Sequence, residues 1–563
     1  MTARVAGGRG PAASVRPARR WAGPAVAAAA YAIALALGLS VALALQVPFV
    51  GFSHADESSH YLNAVFVADY LSRTPGADPI GAAQAFYQHY PKLAIGHWPP
   101  LYYGVVGVLF LVLPATPLVA MLVNAVVVAL PAVFVAVVLR RIGAGAPLAI
   151  AAGALYVLLP IVLHAQLFFL ADQALAAVLC AATLGWVRYA DRPTLGRAMA
   201  FAALAAAAIL TKGNGWSVGL VPIVFIALTG SWALLADWRT YVAALACLAL
   251  VLPWSVLTYR ISADGFLFEP GLAYAWSALT VNAAALFDNL GVAGVALAAW
   301  GAVAGVMARH REPARWRRIA GCASLLLAVL LFQCAIPAAL EGRYVLPALP
   351  AAVVLAAAGL MALQRALRTR LSRPVALGAC GLAGAGLLLP GVRFLQHESP
   401  KADLRAARAA AGDTVRQPQV WLVDGPAGAE GGFIAAVATA DAARLVYVVR
   451  SSQLLADSNW NATRYGLRYS SEVDAARALR ELGIGRIVLI RRAGQPLLPH
   501  SALLERVVAG SGSGYALAAD LPHGNRVGST RVYAARQAPV VDVDKARTLN
   551  FPAKAASLGA SRD

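Results

Sequence analysis

Read for hydrophobic and polar positions, the chain falls into two unequal parts. Up to about residue 395, long uncharged apolar runs alternate with short polar segments, at about 22–45, 117–139, 146–163, 171–188, 198–211, 215–230, 240–257, 283–308, 319–337, 345–363 and 375–395. A helix needs about 20 apolar residues to cross the hydrocarbon core of a bilayer. These runs therefore predict about eleven transmembrane helices, several of them short. The segment 46–116 between the first two runs is long and carries one further apolar piece, Leu101 to Leu113. At 13 residues it is too short to span comfortably and predicts an interfacial or re-entrant helix.

From residue 396 the rhythm changes. Trp421-Leu422-Val423-Asp424, Leu445 to Val449 and Ile487 to Ile490 read as short buried strands, while Ser471 to Leu482 and Ser501 to Val508 read as amphipathic helices. Such alternation predicts a small α/β domain of about 140 residues within 396–563. Its last stretch, from about Ala538, is polar and expected to be loose. No repeat of solenoid length is visible.

Composition agrees with a bilayer as the solvent. Of 563 residues, 60% are hydrophobic and only 13% charged, whereas soluble domains run nearer half apolar and a quarter charged. The formal net charge is +20, but the arginines fall as short clusters between apolar runs and form no compact basic domain, which argues against nucleic acid as a partner. Arg140 with Arg141, then Arg188, Arg192 and Arg197, then Arg239, then 309–318 and 365–373 occupy alternate loops. With eleven spans they share one side with Arg4, Arg9, Arg16, Arg19 and Arg20. Positive charge marks cytoplasmic loops, so residues 1–21 are expected in the cytoplasm and the C-terminal domain outside, in the periplasm of a bacterial inner membrane. The 22–45 run is longer than a cleaved signal's apolar core and reads as a signal anchor. The five cysteines all lie in apolar runs without ligand spacing and read as small core residues.

Charge near a membrane span is costly and needs an explanation. On this topology the non-cytoplasmic side collects Asp56 and Glu57, Asp172, Lys212, and Glu341 with Arg343. Asp56 and Glu57 sit in Ser53-His54-Ala55-Asp56-Glu57-Ser58-Ser59-His60-Tyr61, where a partly desolvated carboxylate can take a proton from a hydroxyl; a solvated helix N-terminus is the plainer alternative. His54, Asp56 and His60 form a candidate set of divalent-metal ligands, with neutral hydrogen-bonding histidines as the alternative. Gly96-His97-Trp98-Pro99-Pro100-Leu101-Tyr102-Tyr103 reads either as an interfacial anchor or as one wall of a cavity for a lipid carrier. Asp172 can be a helix cap or a site residue. Lys212, in Thr211-Lys212-Gly213-Asn214-Gly215, can snorkel or meet a bound group that the glycines let approach. Arg343 offers a planar fork to phosphate, or a salt bridge to Glu341. Acids and cations at one water–lipid boundary are what sugar transfer from a phosphate-linked lipid requires: a base for the acceptor and positive charge for the leaving phosphate.

The ordered set Asp56-Glu57 with His60-Tyr61, Pro99-Pro100-Leu101-Tyr102-Tyr103, Asp172, Leu210-Thr211-Lys212-Gly213 and Arg343-Tyr344-Val345-Leu346-Pro347 resembles the GT-C superfold of integral-membrane glycosyltransferases. Within it, the set is similar to the dolichyl-phosphate-mannose–protein mannosyltransferase-like group, which includes the aminoarabinose-transferase-like enzymes. The resemblance covers about 20–395. It implies a GT-C-like transmembrane domain at 22–395 and a polyprenyl-phosphate sugar as donor. It further implies transfer with inversion at the periplasmic face to a glycan, lipid or protein acceptor. By the resemblance, Asp56 is the leading base, while Glu57 and Asp172 shape the sugar or acceptor site. Lys212 and Arg343 face the donor phosphate, and His60, Tyr61, Pro100, Tyr102, Tyr103 and Tyr344 contribute to substrate binding. Many relatives carry a basic residue just before Pro-Pro, where this chain has His97-Trp98. Metal dependence varies within the superfold and is left open. The main competing reading is a transporter or flippase for a lipid-linked sugar, whose sites sit nearer the bilayer midplane between repeated halves.

Overall fold

The computed structural model describes residues 22–550, apart from 264, 369–371, 398–404, 412–414, 459–464, 511 and 524–527. The basic segment 1–21 and the end of the tail, 551–563, lie outside the described residues. Every apolar run of the sequence is helical. Among the described residues, seven helices are long and apolar enough to cross a membrane: Gly23–Ala44, Pro117–Arg141, Asp172–Asp191, Trp238–Ala263, Leu272–Met307, Pro313–Ala335 and Gly342–Arg368. The pair Ala146–Val157 and Pro160–Leu167 is bent by 56°, where Pro160 cannot continue the preceding hydrogen-bond ladder, and has the apolar length of a broken span or a re-entrant loop. The remaining runs are shorter helices, Leu195–Thr211 and Gly213–Thr229, and the broken pair Arg373–Gly386 and Leu389–His397. Hydropathy thus reports eleven apolar segments, but not which of them are uninterrupted spans.

Helices meet in the bundle through small residues, as they do where lipid supplies no hydrophobic drive between them. At the crossing of Leu272–Met307 with Leu349–Arg368, a Cβ on Gly301 would overlap the Leu355 carbonyl, and one on Gly359 would overlap the Leu297 carbonyl. Leu272–Met307 is itself kinked at Gly291, whose φ of 65° is open to glycine.

The long segment 46–116 folds into four helices, Val47–Val50, Glu57–Arg73, Pro79–His89 and Leu101–Leu109. The last is only nine residues long and leaves Val105 and Val108 more than half exposed.

The C-terminal domain is α/β. Strands β1 (Gln419–Asp424), β2 (Val446–Arg450), β5 (Ile484–Arg492), β6 (Tyr515–Pro522) and β7 (Gly528–Ala535) form one sheet in the order β2-β1-β5-β7-β6; β3 (Ala456–Ser458) and β4 (Tyr465–Leu467) pair separately. β1 runs parallel to β2 and β5, and β7 antiparallel to β5 and β6. Helices Glu472–Glu481 and Pro499–Ala509 cover one face over Leu422, Ile487 and Leu489, and helix Ala427–Ala440 covers the other over Trp421, Val423 and Val488. That third helix packs on Glu57–Arg73, joining the domain to segment 46–116. Across the joint, Tyr90 donates to Asp441 at 2.8 Å, Arg444 pairs with Asp69 at 2.7 Å, and His89 stacks on Tyr447 at 3.9 Å between ring centres.

The loose tail expected from Ala538 is corrected for 543–550. Val543–Asn550 is a helix with Ala546 and Asn550 buried, and Asn550 donates to the carbonyls of Gln88 and Val448 at 2.7 and 2.8 Å. Its polar face turns outward, which is why composition alone reads as disorder.

Candidate active site

Several chain segments converge on one cavity of 690 Å³. The turn before helix Glu57–Arg73 supplies Asp56, and the helix supplies His60. The stretch 97–99 supplies His97, Trp98 and Pro99. The break after Leu195–Thr211 supplies Lys212, and the turn entering the last long span supplies Glu341, Arg343 and Tyr344. Trp254, Thr258, Tyr259 and Phe332 complete the apolar wall. The turn at Lys212 is tight: a Cβ on Gly215 would overlap the Ala208 carbonyl, so the chain can fold back on the helix end only with glycine there.

The charges form two linked pairs. Arg343 Nη2 donates to Asp56 Oδ2 at 2.8 Å, and its Nε lies 2.5 Å from Glu341. Lys212 Nζ donates to Asp172 Oδ1 at 2.6 Å, with both side chains buried. Tyr344 lies between the cations, its ring centre 5.3 Å from Lys212 Nζ and 5.6 Å from the Arg343 guanidinium. Arg343 Nη1 is buried and makes no hydrogen bond among the described residues, and the same holds for Asp172 Oδ2. Burial alone would raise the Asp56 carboxyl, but the Arg343 guanidinium, helped by His60 and His54, outweighs it and holds the group at about 2. His60 is driven down to about 3 by burial and is neutral. Its Nδ1 meets the Tyr103 hydroxyl at 2.5 Å, and its ring stacks on Trp98 at 4.1 Å.

Of the residues singled out in the sequence, Asp56, His60, Lys212, Arg343 and Tyr344 line the cavity. Asp172 and Tyr103 stand behind it, holding Lys212 and His60. Glu57 is fully buried and turned away: one oxygen accepts from the Ser53 and His54 backbone N–H groups and the other from Phe169 N. Tyr61 points to the C-terminal domain, its hydroxyl 3.0 Å from Thr439 Oγ1. Tyr102 is buried beside Phe169, and Pro100 opens helix Leu101–Leu109. Among the described residues no three His, Cys, Asp or Glu side chains stand close enough to hold a metal ion; His54 Nδ1 instead accepts the Asp56 backbone N–H. Trp98 and Glu341 carry more of the site than their sequence positions suggested. Trp98 reads equally as an interfacial anchor and Glu341 only as a partner for Arg343.

The site lies at one end of the bundle. Helix Asp172–Asp191 begins at the Lys212 pair and ends with Asp191 bound to Arg317 at 2.9 Å and Arg318 at 2.5 Å. A helix of this length spans about 30 Å, so the arginine loops and the cavity occupy opposite ends.

This chain is a multi-pass membrane protein with a helical bundle and a C-terminal α/β domain. Its fold is that of the crystal structures of ArnT from Cupriavidus metallidurans. The apo state aligns over 89% of this chain and 99% of that one, with 17% identity and a TM-score of 0.52. The form bound to undecaprenyl phosphate aligns over 90% and 99%, with 16% identity and a TM-score of 0.53. No protein-family model and no curated protein matches the sequence.

Proposed function

We propose that the protein is a glycosyltransferase that moves a sugar from a polyprenyl-phosphate donor to a hydroxyl of an envelope acceptor, with inversion, at the periplasmic face of the inner membrane. The observation that carries this is the Asp56–Arg343 pair in the cavity, with Lys212 in the same wall. The undecaprenyl phosphate bound by the structurally similar ArnT supports the donor class. The arginine loops at the far end of the bundle support an outward-facing site by the positive-inside rule.

The donor phosphate competes with Asp56 for Arg343, engaging the unused Nη1 and drawing positive charge away from the carboxylate. Asp56, partly buried, then gains basicity. The acceptor oxygen attacks the anomeric carbon as its proton passes to Asp56. The bond from that carbon to the phosphate oxygen breaks, and polyprenyl phosphate leaves with the electron pair, stabilised by Arg343 and Lys212. The products are the glycoside, polyprenyl phosphate and a protonated Asp56, which returns its proton to water. Proteoliposomes given a panel of radiolabelled polyprenyl-phosphate sugars and envelope extract test the reading. One donor should yield labelled acceptor and free polyprenyl phosphate in equal amounts, and label that never leaves its lipid would refute it.

A further inference from the structure

We infer that the C-terminal domain is a working part of the catalytic centre, in which helix Ala427–Ala440 and Lys92 hold the turn that carries Asp56. The inference rests on Asp56 being the base. The turn 53–56 has no regular structure of its own, yet its peptide groups are held from two sides. From the bundle side, Glu57 accepts from Ser53 N and His54 N and ties both to Phe169 N. From the other side comes the C-terminal domain. Helix Ala427–Ala440 meets the turn so closely that a Cβ on Gly428 would overlap the Ser53 carbonyl and lie 3.1 Å from His54 C. One turn further along, a Cβ on Gly431 would overlap Ser58 Oγ and lie 3.2 Å from Lys92 Cε. Lys92 Nζ donates to the Ala55 carbonyl, the residue before the base, at 3.3 Å.

Lys92 is itself held by the domain. Burial and Arg450 lower its ammonium to about 8, while Glu430 and Asp56 favour the charge. Glu430, buried in helix Ala427–Ala440, is anchored by Arg450 at 2.8 Å. A chain of neighbours therefore runs from the end of β2 through Arg450, Glu430 and Lys92 to the peptide next to Asp56. None of these groups lines the cavity, so they act as positioning residues. Displacing a reacting group by about 1 Å can lower a rate by about a hundredfold, so rigidity here translates into turnover.

The test uses full-length protein in nanodiscs, reading turnover, affinity for undecaprenyl phosphate alone, and hydrogen–deuterium exchange of segment 53–60. Gly428→Ala and Lys92→Met should each lower kcat at least about tenfold, leave that affinity within about twofold, and speed exchange in 53–60. Lys92→Arg, which keeps the donor, should recover most of the turnover. Wild-type turnover and wild-type exchange in both variants would overturn the inference while leaving the transferase reading intact. If Gly428→Ala does not fold, Lys92→Met, which adds no bulk, decides alone. If the wild type transfers no sugar, the transferase reading falls, and the exchange data still decide whether the domain holds the turn.

Discussion

Asp56 and Arg343 are 287 residues apart in the chain and 2.8 Å apart in the fold. The carboxylate comes from the first long loop and the guanidinium from the entry to the last long span, so the pair closes the bundle around the cavity. Its meaning is a competition, since the group that a donor phosphate would seek is already occupied by the proposed base.

Asp56→Asn removes the proposed base and the competitor together. The variant should lose about 10²- to 10⁴-fold in kcat while binding undecaprenyl phosphate at least as tightly as the wild type. Single-turnover transfer and equilibrium binding measure the two effects separately. Weaker binding by Asp56→Asn would argue against the competition.

Arg343 presents a planar fork that bonds Asp56 and Glu341 at once and keeps Nη1 spare. Arg343→Lys preserves charge but not that geometry. It should therefore lower kcat/KM by about a hundredfold or more rather than behave as a conservative change, which steady-state kinetics across donor concentrations would show.

Lys212 and Asp172 are a buried pair with a different consequence. Lys212→Met leaves Asp172 charged and unpartnered, at about 3–5 kcal/mol in stability. The double variant Lys212→Met with Asp172→Leu should regain most of that loss in thermal unfolding, yet remain impaired in transfer because the phosphate has lost a cation. Recovery of both properties would make the pair purely structural.

The pH dependence follows from the same competition. In the free protein Asp56 sits at about 2, below the ordinary carboxylate value near 3.9. Its pairing therefore contributes stability that is complete above about 4 and is lost as pH falls towards 2. Once phosphate engages Arg343, burial is less opposed and the carboxyl rises. The acid limb of kcat, which reports the bound complex, should lie at higher pH than that of kcat/KM, which reports the free enzyme. Coincident limbs would mean that the donor leaves the pair intact.

Glu57 separates adjacency from role. Its two oxygens serve three backbone N–H groups, so Glu57→Gln turns an amide donor towards other donors. The expected result is a lower unfolding temperature, with turnover reduced through the displaced turn and partly recovered on cooling. Loss of turnover with wild-type stability would return Glu57 to the chemistry.

The sequence made the membrane bundle legible because each span is a long apolar run, and it made the site legible because charge in such surroundings is conspicuous. Asp56, Lys212 and Arg343 stand out for that reason. What stayed hidden depends on direction. Asp56 and Glu57 are equivalent in composition, yet one faces the cavity and the other the backbone of Phe169. In the C-terminal domain, β1, β2 and β5 are buried runs and were readable. β6 and β7 form an edge hairpin whose half-buried alternation, in Tyr515–Pro522 above all, carries little signal. Helix Ala427–Ala440 is hard to read because its three glycines suggest a loop. Gly428 among them instead admits the turn that carries Asp56, and Gly431 admits Ser58 and Lys92.

The most direct measurement is label transfer in proteoliposomes by the wild type and Asp56→Asn, side by side, with one radiolabelled polyprenyl-phosphate sugar and its acceptor. The account predicts labelled acceptor from the wild type and none above background from Asp56→Asn, although both bind the lipid. Label that crosses the bilayer still attached to its lipid, equally in both proteins, would contradict it and identify a transporter.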